Sequence, residues 1–207
     1  MTENFLLEAC VETLDQALLA QLCGAHRIEL CHDLSAGGLT PPDDLLLAVK
    51  RALNLPIMVM VRPRPGNYVY DADGLEKMKR TVDFCKKAGV AGVVFGFLTP
   101  DFRVDVEKTK ALAAYAAPLA VTFHKAIDDT PGPVASLGLL KKIPNVQRVL
   151  TSGGAATALG GQSVLRKMLE VAGGGLTVVV AGKVTKENLS TVHQCIGAKE
   201  YHGRRIV

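Results

Sequence analysis

Short β-branched and apolar runs alternate without a break with amphipathic stretches along this 207-residue chain, and that alternation restricts its fold more than any other feature. Period-two runs predict strands at Phe5–Ala9, Arg27–Cys31, Ile57–Val61, Gly92–Phe95, Ala120–His124, Gln147–Leu150, Thr177–Ala181 and Glu200–His202. Helical periodicity falls between them, at about Leu14–Leu22, Asp43–Leu53, Ala72–Ala88, Val104–Ala116, Val134–Lys141, Ser163–Val171 and Lys186–Cys195. Strict strand–helix alternation implies parallel pairing through right-handed crossovers. Eight such units are the count that closes an α/β fold of the (β/α)8, TIM-like type.

A doubly wound open sheet is the competing architecture, but no Gly-x-Gly-x-x-Gly follows the first strand. With 48% hydrophobic residues the chain can bury one large core, so residues 1–207 are expected to form a single domain. The chain is short for a barrel, whose usual size is about 250 residues. Only five residues follow the eighth strand, and the eighth helix is expected to be missing. The outer faces of the first and last strands would then need cover, which predicts a homodimer or higher homo-oligomer closing over that gap.

The formal net charge of +4 is mild, and its basic pairs (Lys86-Lys87, Lys141-Lys142, Arg204-Arg205) read as solvated faces rather than a nucleic-acid stripe. Five cysteines without framework spacing, no signal peptide and no 18-residue apolar run point to a reducing cytoplasm, free thiols and no membrane partner. Gly182-Lys183-Val184-Thr185 is no Walker loop, because Thr177 stands where its first glycine belongs.

Barrel sites lie at the carboxyl ends of the strands, so inward-facing polar residues there carry the functional signal. In Arg27-Ile28-Glu29-Leu30-Cys31 the alternation of side chains places Glu29 and Cys31 on one face, and Leu6-Leu7-Glu8-Ala9-Cys10 repeats the arrangement with Glu8 and Cys10. The third strand adds Met60 and Arg62, the fifth Thr122 and His124 with Lys125 beside it, the sixth Thr151-Ser152-Gly153-Gly154, and the eighth His202. As an enzyme, such a mouth would use Glu8 and Glu29 as an acid–base pair and His124 as a proton shuttle. Arg62 and Lys125 would clamp a small anionic or sugar-like substrate, with the Thr-Ser-Gly-Gly loop and His202 helping to bind it. The same residues also admit structural roles: a Glu29–Arg62 salt bridge, a core histidine at position 124, a tight turn after the sixth strand.

The segments LEACVETL, RIELC, GGLTPP, VMVRPRPGNYVY, GVVFGFLTPD, VTFHKAIDDT, RVLTSGGA and the terminal HG resemble the CutC family of copper homeostasis proteins along nearly the whole chain. The resemblance implies a cytoplasmic, self-associating TIM barrel with a role linked to copper. Two positions depart from the family pattern. Gly182-Lys183 stands where a glycine run usually follows the seventh strand, which weakens a backbone anion cradle there, and Lys125 replaces the usual arginine after His124, exchanging a fork for a point charge. For Cu(I), a soft ion, Cys10 and Cys31 are the candidate ligands, with Met60 and His124 able to project to the same mouth. Cys23, Cys85 and Cys195 fall on helices and read as packing residues. The first reading is therefore a Cu(I)-binding homeostasis protein, the second an enzyme, and the third a scaffold.

Overall fold

In the computed structural model, which describes residues 5–207, eight parallel strands close into a barrel in chain order. They are β1 (Leu6–Val11), β2 (Arg27–Leu30), β3 (Ile57–Met60), β4 (Gly92–Phe95), β5 (Ala120–Phe123), β6 (Val146–Thr151), β7 (Thr177–Val180) and β8 (Glu200–Gly203). Leu6 pairs with Glu200 to join the last strand to the first. Seven α-helices alternate with them: α1 (Leu14–Leu22), α2 (Asp43–Ala52), α3 (Ala72–Ala88), α4 (Val106–Ala116), α5 (Pro133–Leu140), α6 (Gln162–Ala172) and α7 (Leu189–Ile196). Among the described residues no helix follows β8, and none is long and apolar enough to cross a membrane.

Helix starts follow local capping chemistry. Thr13, Asp71 and Asp105 each accept a hydrogen bond from the amide three residues on, which satisfies a first-turn donor. The cap at Asp105 is why α4 begins at Val106, two residues later than periodicity predicts. Likewise α7 begins at Leu189 instead of Lys186, because Asn188 accepts from the Thr185 amide at 2.9 Å and donates to the Lys183 carbonyl at 2.8 Å, holding those residues in a turn. Two 3₁₀ turns, Leu34–Ala36 and Lys125–Asp129, were not legible as periodic segments.

Alternation along each strand divides the molecule into two environments. Outward residues such as Ile28, Val59, Phe95, Val121, Val149 and Val180 join the helices in one large apolar core. Inward residues form only two small apolar clusters, one around Cys10, Cys31, Met58, Met60 and Val94 and the other of Leu150, Val179 and Ala181. Several remaining inward positions are charged. Arg27, 3% exposed, pairs with both Glu8 and Glu200; Arg148 approaches Glu200 at 3.5 Å, and His202 bonds Glu8 at 2.8 Å.

A charge in such a lumen is tolerable only when paired, and removing one partner exposes the full desolvation cost of the other. Arg27→Met should therefore lose about 3–5 kcal/mol of stability in urea titrations; a loss within the scatter of exposed substitutions would show that the network is energetically idle. Burial raises the Glu8 carboxyl, but its bonds to His202 and Arg27 prevail and bring it from 4.5 down to about 2. The stability that Glu8 contributes is thus present above pH 4.5 and lost as pH falls through about 2. The stability difference between wild type and Glu8→Gln should be flat above pH 4.5 and shrink below it.

Candidate functional site

The carboxyl ends of the strands open on a cavity of about 600 Å³ that reaches from a buried thiol pair to a basic mouth. Its floor is made by β1, β2 and β8. Because neighbouring strands in a tilted barrel are staggered, Cys10 stands beside Glu29 in the register, and Glu8 beside Arg27 and His202. The glutamates and cysteines of the two repeated motifs meet diagonally rather than like beside like. Cys10 Sγ lies 3.9 Å from Cys31 Sγ, and the two sulfurs lie 3.5 and 3.4 Å from the same Glu29 oxygen, Oε2. Gly38, in a left-handed conformation, folds its loop over Cys31 so closely that an added Cβ would stand 3.3 Å from the sulfur.

Paired charge surrounds this floor. Arg27, Arg148 and His202 meet Glu8 and Glu200 in one connected network, and His202 carries it on to Glu29 and Cys10. Burial lowers His202, yet the negative charge that Glu29 and Cys10 share, together with the bonds of His202 to Cys10 and Glu8, holds it well above 6.5. The hydrogen bond from Cys31, helped by His202, brings the Cys10 thiol down to about 5 against burial, while burial pushes Glu29 up to about 8. These shifts favour Cys10 as the thiolate and Glu29 as the protonated acid within one coupled pair. Cys31 is pushed well above the ordinary thiol range by its bond to Cys10 and by burial.

Arg62 and His124 form the opposite wall. The Arg62 guanidinium, 4% exposed, donates to the carbonyls of Ala36, Gly38 and Gly66 at 2.9–3.1 Å, so the GGLTPP loop and the Arg-Pro-Arg-Pro-Gly loop both hold it. It makes no salt bridge with Glu29, whose neighbours are the two thiols and His202. His124 accepts from the Ala126 amide at Nδ1, which places its proton on Nε2. Burial, then the charge of Arg62, holds this imidazole down at about 3. His124 is accordingly neutral at physiological pH, with its N–H on Nε2. Gly96 makes room for the ring, since a Cβ there would fall 2.6 Å from Nδ1.

Of the sequence-predicted residues, Cys10, Glu29, Cys31, Met60, Arg62, His124, Lys125 and His202 line the cavity. Glu8 lies beneath it, locked between Arg27 and His202, and is not free for acid–base exchange. Thr151, Ser152, Gly153 and Gly154 do not reach it, because their donors are already used. Asp128 accepts from the Thr151 hydroxyl at 2.5 Å and from the amides of Ser152 and Gly154 at 3.0 and 2.8 Å, while the Gly153 amide donates to Thr151. The loop expected to hold a ligand anion holds an internal carboxylate, with Lys125 as its counter-ion at 2.5 Å.

Among the lining residues that sequence reasoning missed, four carry an aromatic ring or a charge. Tyr68 packs its ring 4.7 Å from that of His124 and 5.0 Å from the Arg62 guanidinium carbon; its signal was an aromatic residue directly after the Pro-Gly loop. Lys183, Arg204 and Arg205 reach the mouth from the loops after β7 and β8, though they read as ordinary surface charge. Lys183 adopts a left-handed φ of 56°, so a lysine occupies the backbone conformation that a glycine would take more easily. Two groups of donors lie within 4.8 Å of one another and could hold a metal ion: Cys10, Glu29 and Cys31, and Glu8, Glu29 and His202.

Comparison with known proteins agrees with this architecture. The copper homeostasis protein cutC homolog of Homo sapiens is 40% identical over 199 residues, covering 96% of this chain and 72% of that protein. A CutC family protein of Xanthomonas campestris is 38% identical over 196 residues, covering 95% of this chain and 81% of its own. The crystal structure of CutC from Streptococcus agalactiae superposes with a TM-score of 0.92 at 28% identity, covering 98% of this chain and 100% of that one. A phosphonomutase structure from Burkholderia cenocepacia, at 16% identity and a TM-score of 0.70 over 96% of this chain and 87% of its own, shares the barrel alone. The CutC family model matches residues 5–207, and the chain belongs to the CutC family.

Proposed function

We propose that this chain serves copper homeostasis by binding Cu(I) in the cytoplasm through Cys10 and Cys31 at the carboxyl face of the barrel. The observation that carries the reading is the 3.9 Å separation of two buried sulfurs on a cavity floor. Metal–thiolate bonds of about 2.3 Å, the length known for zinc, meeting at about 110–120° set two sulfurs roughly 3.8–4.0 Å apart. Thiolates select a soft ion such as Cu(I). Met60 belongs to the same buried cluster as the two cysteines. Cys10, already a thiolate near neutral pH, needs no deprotonation, and only the Cys31 proton has to leave on binding.

In competition with a Cu(I) chelator, the Cys10→Ser/Cys31→Ser variant should keep its fold and lose at least about a hundredfold in affinity, some 2.7 kcal/mol. Equal affinity in variant and wild type would remove these thiols as ligands. The pH dependence adds a second check. Because Cys31 is protonated across the neutral range, affinity should fall about one decade per pH unit on acidification. Below about 5, where Cys10 also takes up a proton, the slope should steepen to about two decades per unit. A slope that stays at one would mean that a single thiolate binds.

Acid–base catalysis on a small anionic substrate is the second reading, and one observation favours it. Glu29, raised to about 8, is a protonated acid facing the cavity near neutral pH beside an ionised thiol.

Self-association rests on α1, where Leu19 and Leu22 are 60% and 83% exposed one turn apart. A two-fold contact would bury both copies of this face. Wild type should sediment as a dimer and Leu19→Asp/Leu22→Asp as a monomer; a monomeric wild type would refute the assignment.

A further inference from the structure

The thiol floor leaves the opposite wall of the cavity without a use, and that wall carries two buried donors left unpaired among the described residues. Arg62 Nε and His124 Nε2 have no hydrogen-bond partner among the described residues, although both side chains are only 4% exposed. Buried donors are ordinarily paired, so a pair of orphans on two residues that line one cavity indicates a ligand that supplies the acceptors. Arg62 is also a buried cation with no salt-bridge partner among the described residues, held by three carbonyls and the Tyr68 ring. Of the acids in the Lys125–Asp129 turn, Asp128 is committed to Lys125 and the Thr151 loop, and Asp129, which feels the charge of Arg62, is exposed. Tyr68 fixes the spacing of the two donors, contacting the His124 ring on one side and the guanidinium on the other. Lys183, Arg204 and Arg205 add positive charge at the mouth.

We propose that Arg62 and His124 form a binding site for the carboxylate or phosphate group of a small organic anion, distinct from the Cys10–Cys31 pair. The guanidinium supplies charge and an N–H, and the imidazole supplies a second N–H. The cavity volume of about 600 Å³ lies within the roughly 300–1,000 Å³ usual for small-molecule sites, so an organic body beyond the anionic group has room. The site is independent of the copper reading, and it is tested on metal-free protein so that either can fail alone.

Calorimetric titration of the metal-free chain with inorganic phosphate, glycerol 3-phosphate, citrate and, as the neutral control, glycerol decides the matter. Saturable binding of at least one oxyanion, with none of glycerol, is expected. The two phosphates against citrate then identify which oxyanion is preferred. Affinity should fall at least about tenfold in His124→Phe and further in Arg62→Gln. Should Arg62→Gln lose its fold, because that side chain also ties two loops together, His124→Phe alone is decisive. No binding of any oxyanion up to about 10 mM, tenfold above the usual upper range of enzyme KM values, would overturn the proposal. Wild-type affinity in a folded His124→Phe would do the same.

Discussion

Pairing of charge inside the barrel is the condition that the rest of the structure meets. A (β/α)8 lumen is ordinarily filled by branched apolar side chains, and here β1, β2, β6 and β8 point Glu8, Arg27, Arg148, Glu200 and His202 into it. None of these could be buried alone. Arg27 bridges Glu8 and Glu200, strands that are far apart in sequence and adjacent only when the barrel is closed, so the ion pairs and the closure depend on each other.

The same network extends upward into chemistry. Glu8 holds one nitrogen of His202, and the other nitrogen lies 3.7 Å from Glu29, whose carboxyl touches both thiols. The protonation of the site is therefore set by several coupled groups rather than by any one residue. A thiol that would be inert in an apolar core is drawn toward its thiolate because Cys31 and His202 stabilise its charge. Structural and functional parts of the barrel are thus one electrostatic unit.

How far the sequence discloses this differs by level. Strand and helix order was legible because the periods of 2 and 3.6 are imposed by which face is buried. Boundaries slipped by one to three residues at several ends, among them the starts of α4 and α7, where the side chains of Asp105 and Asn188 decided them. The inward direction of Glu29, Cys31, Arg62 and His124 was legible from the same alternation. Partner choice was not. The stagger between strands puts Cys10 beside Glu29, and a single sequence contains no measure of stagger. Nor did the Thr-Ser-Gly-Gly segment reveal that Asp128, more than twenty residues earlier, would take up its donors. The basic residues at the mouth read as solvent-facing because nothing local distinguishes an exposed arginine over a cavity from one over bulk water.

Those mouth residues bear on what can enter. Lys183, Arg204 and Arg205 surround an opening whose walls also carry Arg62, and within the roughly 8 Å over which charges act at physiological salt their fields add along the path to the floor. A bare cation meets repulsion before it meets sulfur, whereas a species of net negative charge is drawn inward. The entrance is thus a filter of charge set ahead of the thiol floor, and it favours whatever arrives there with net negative charge.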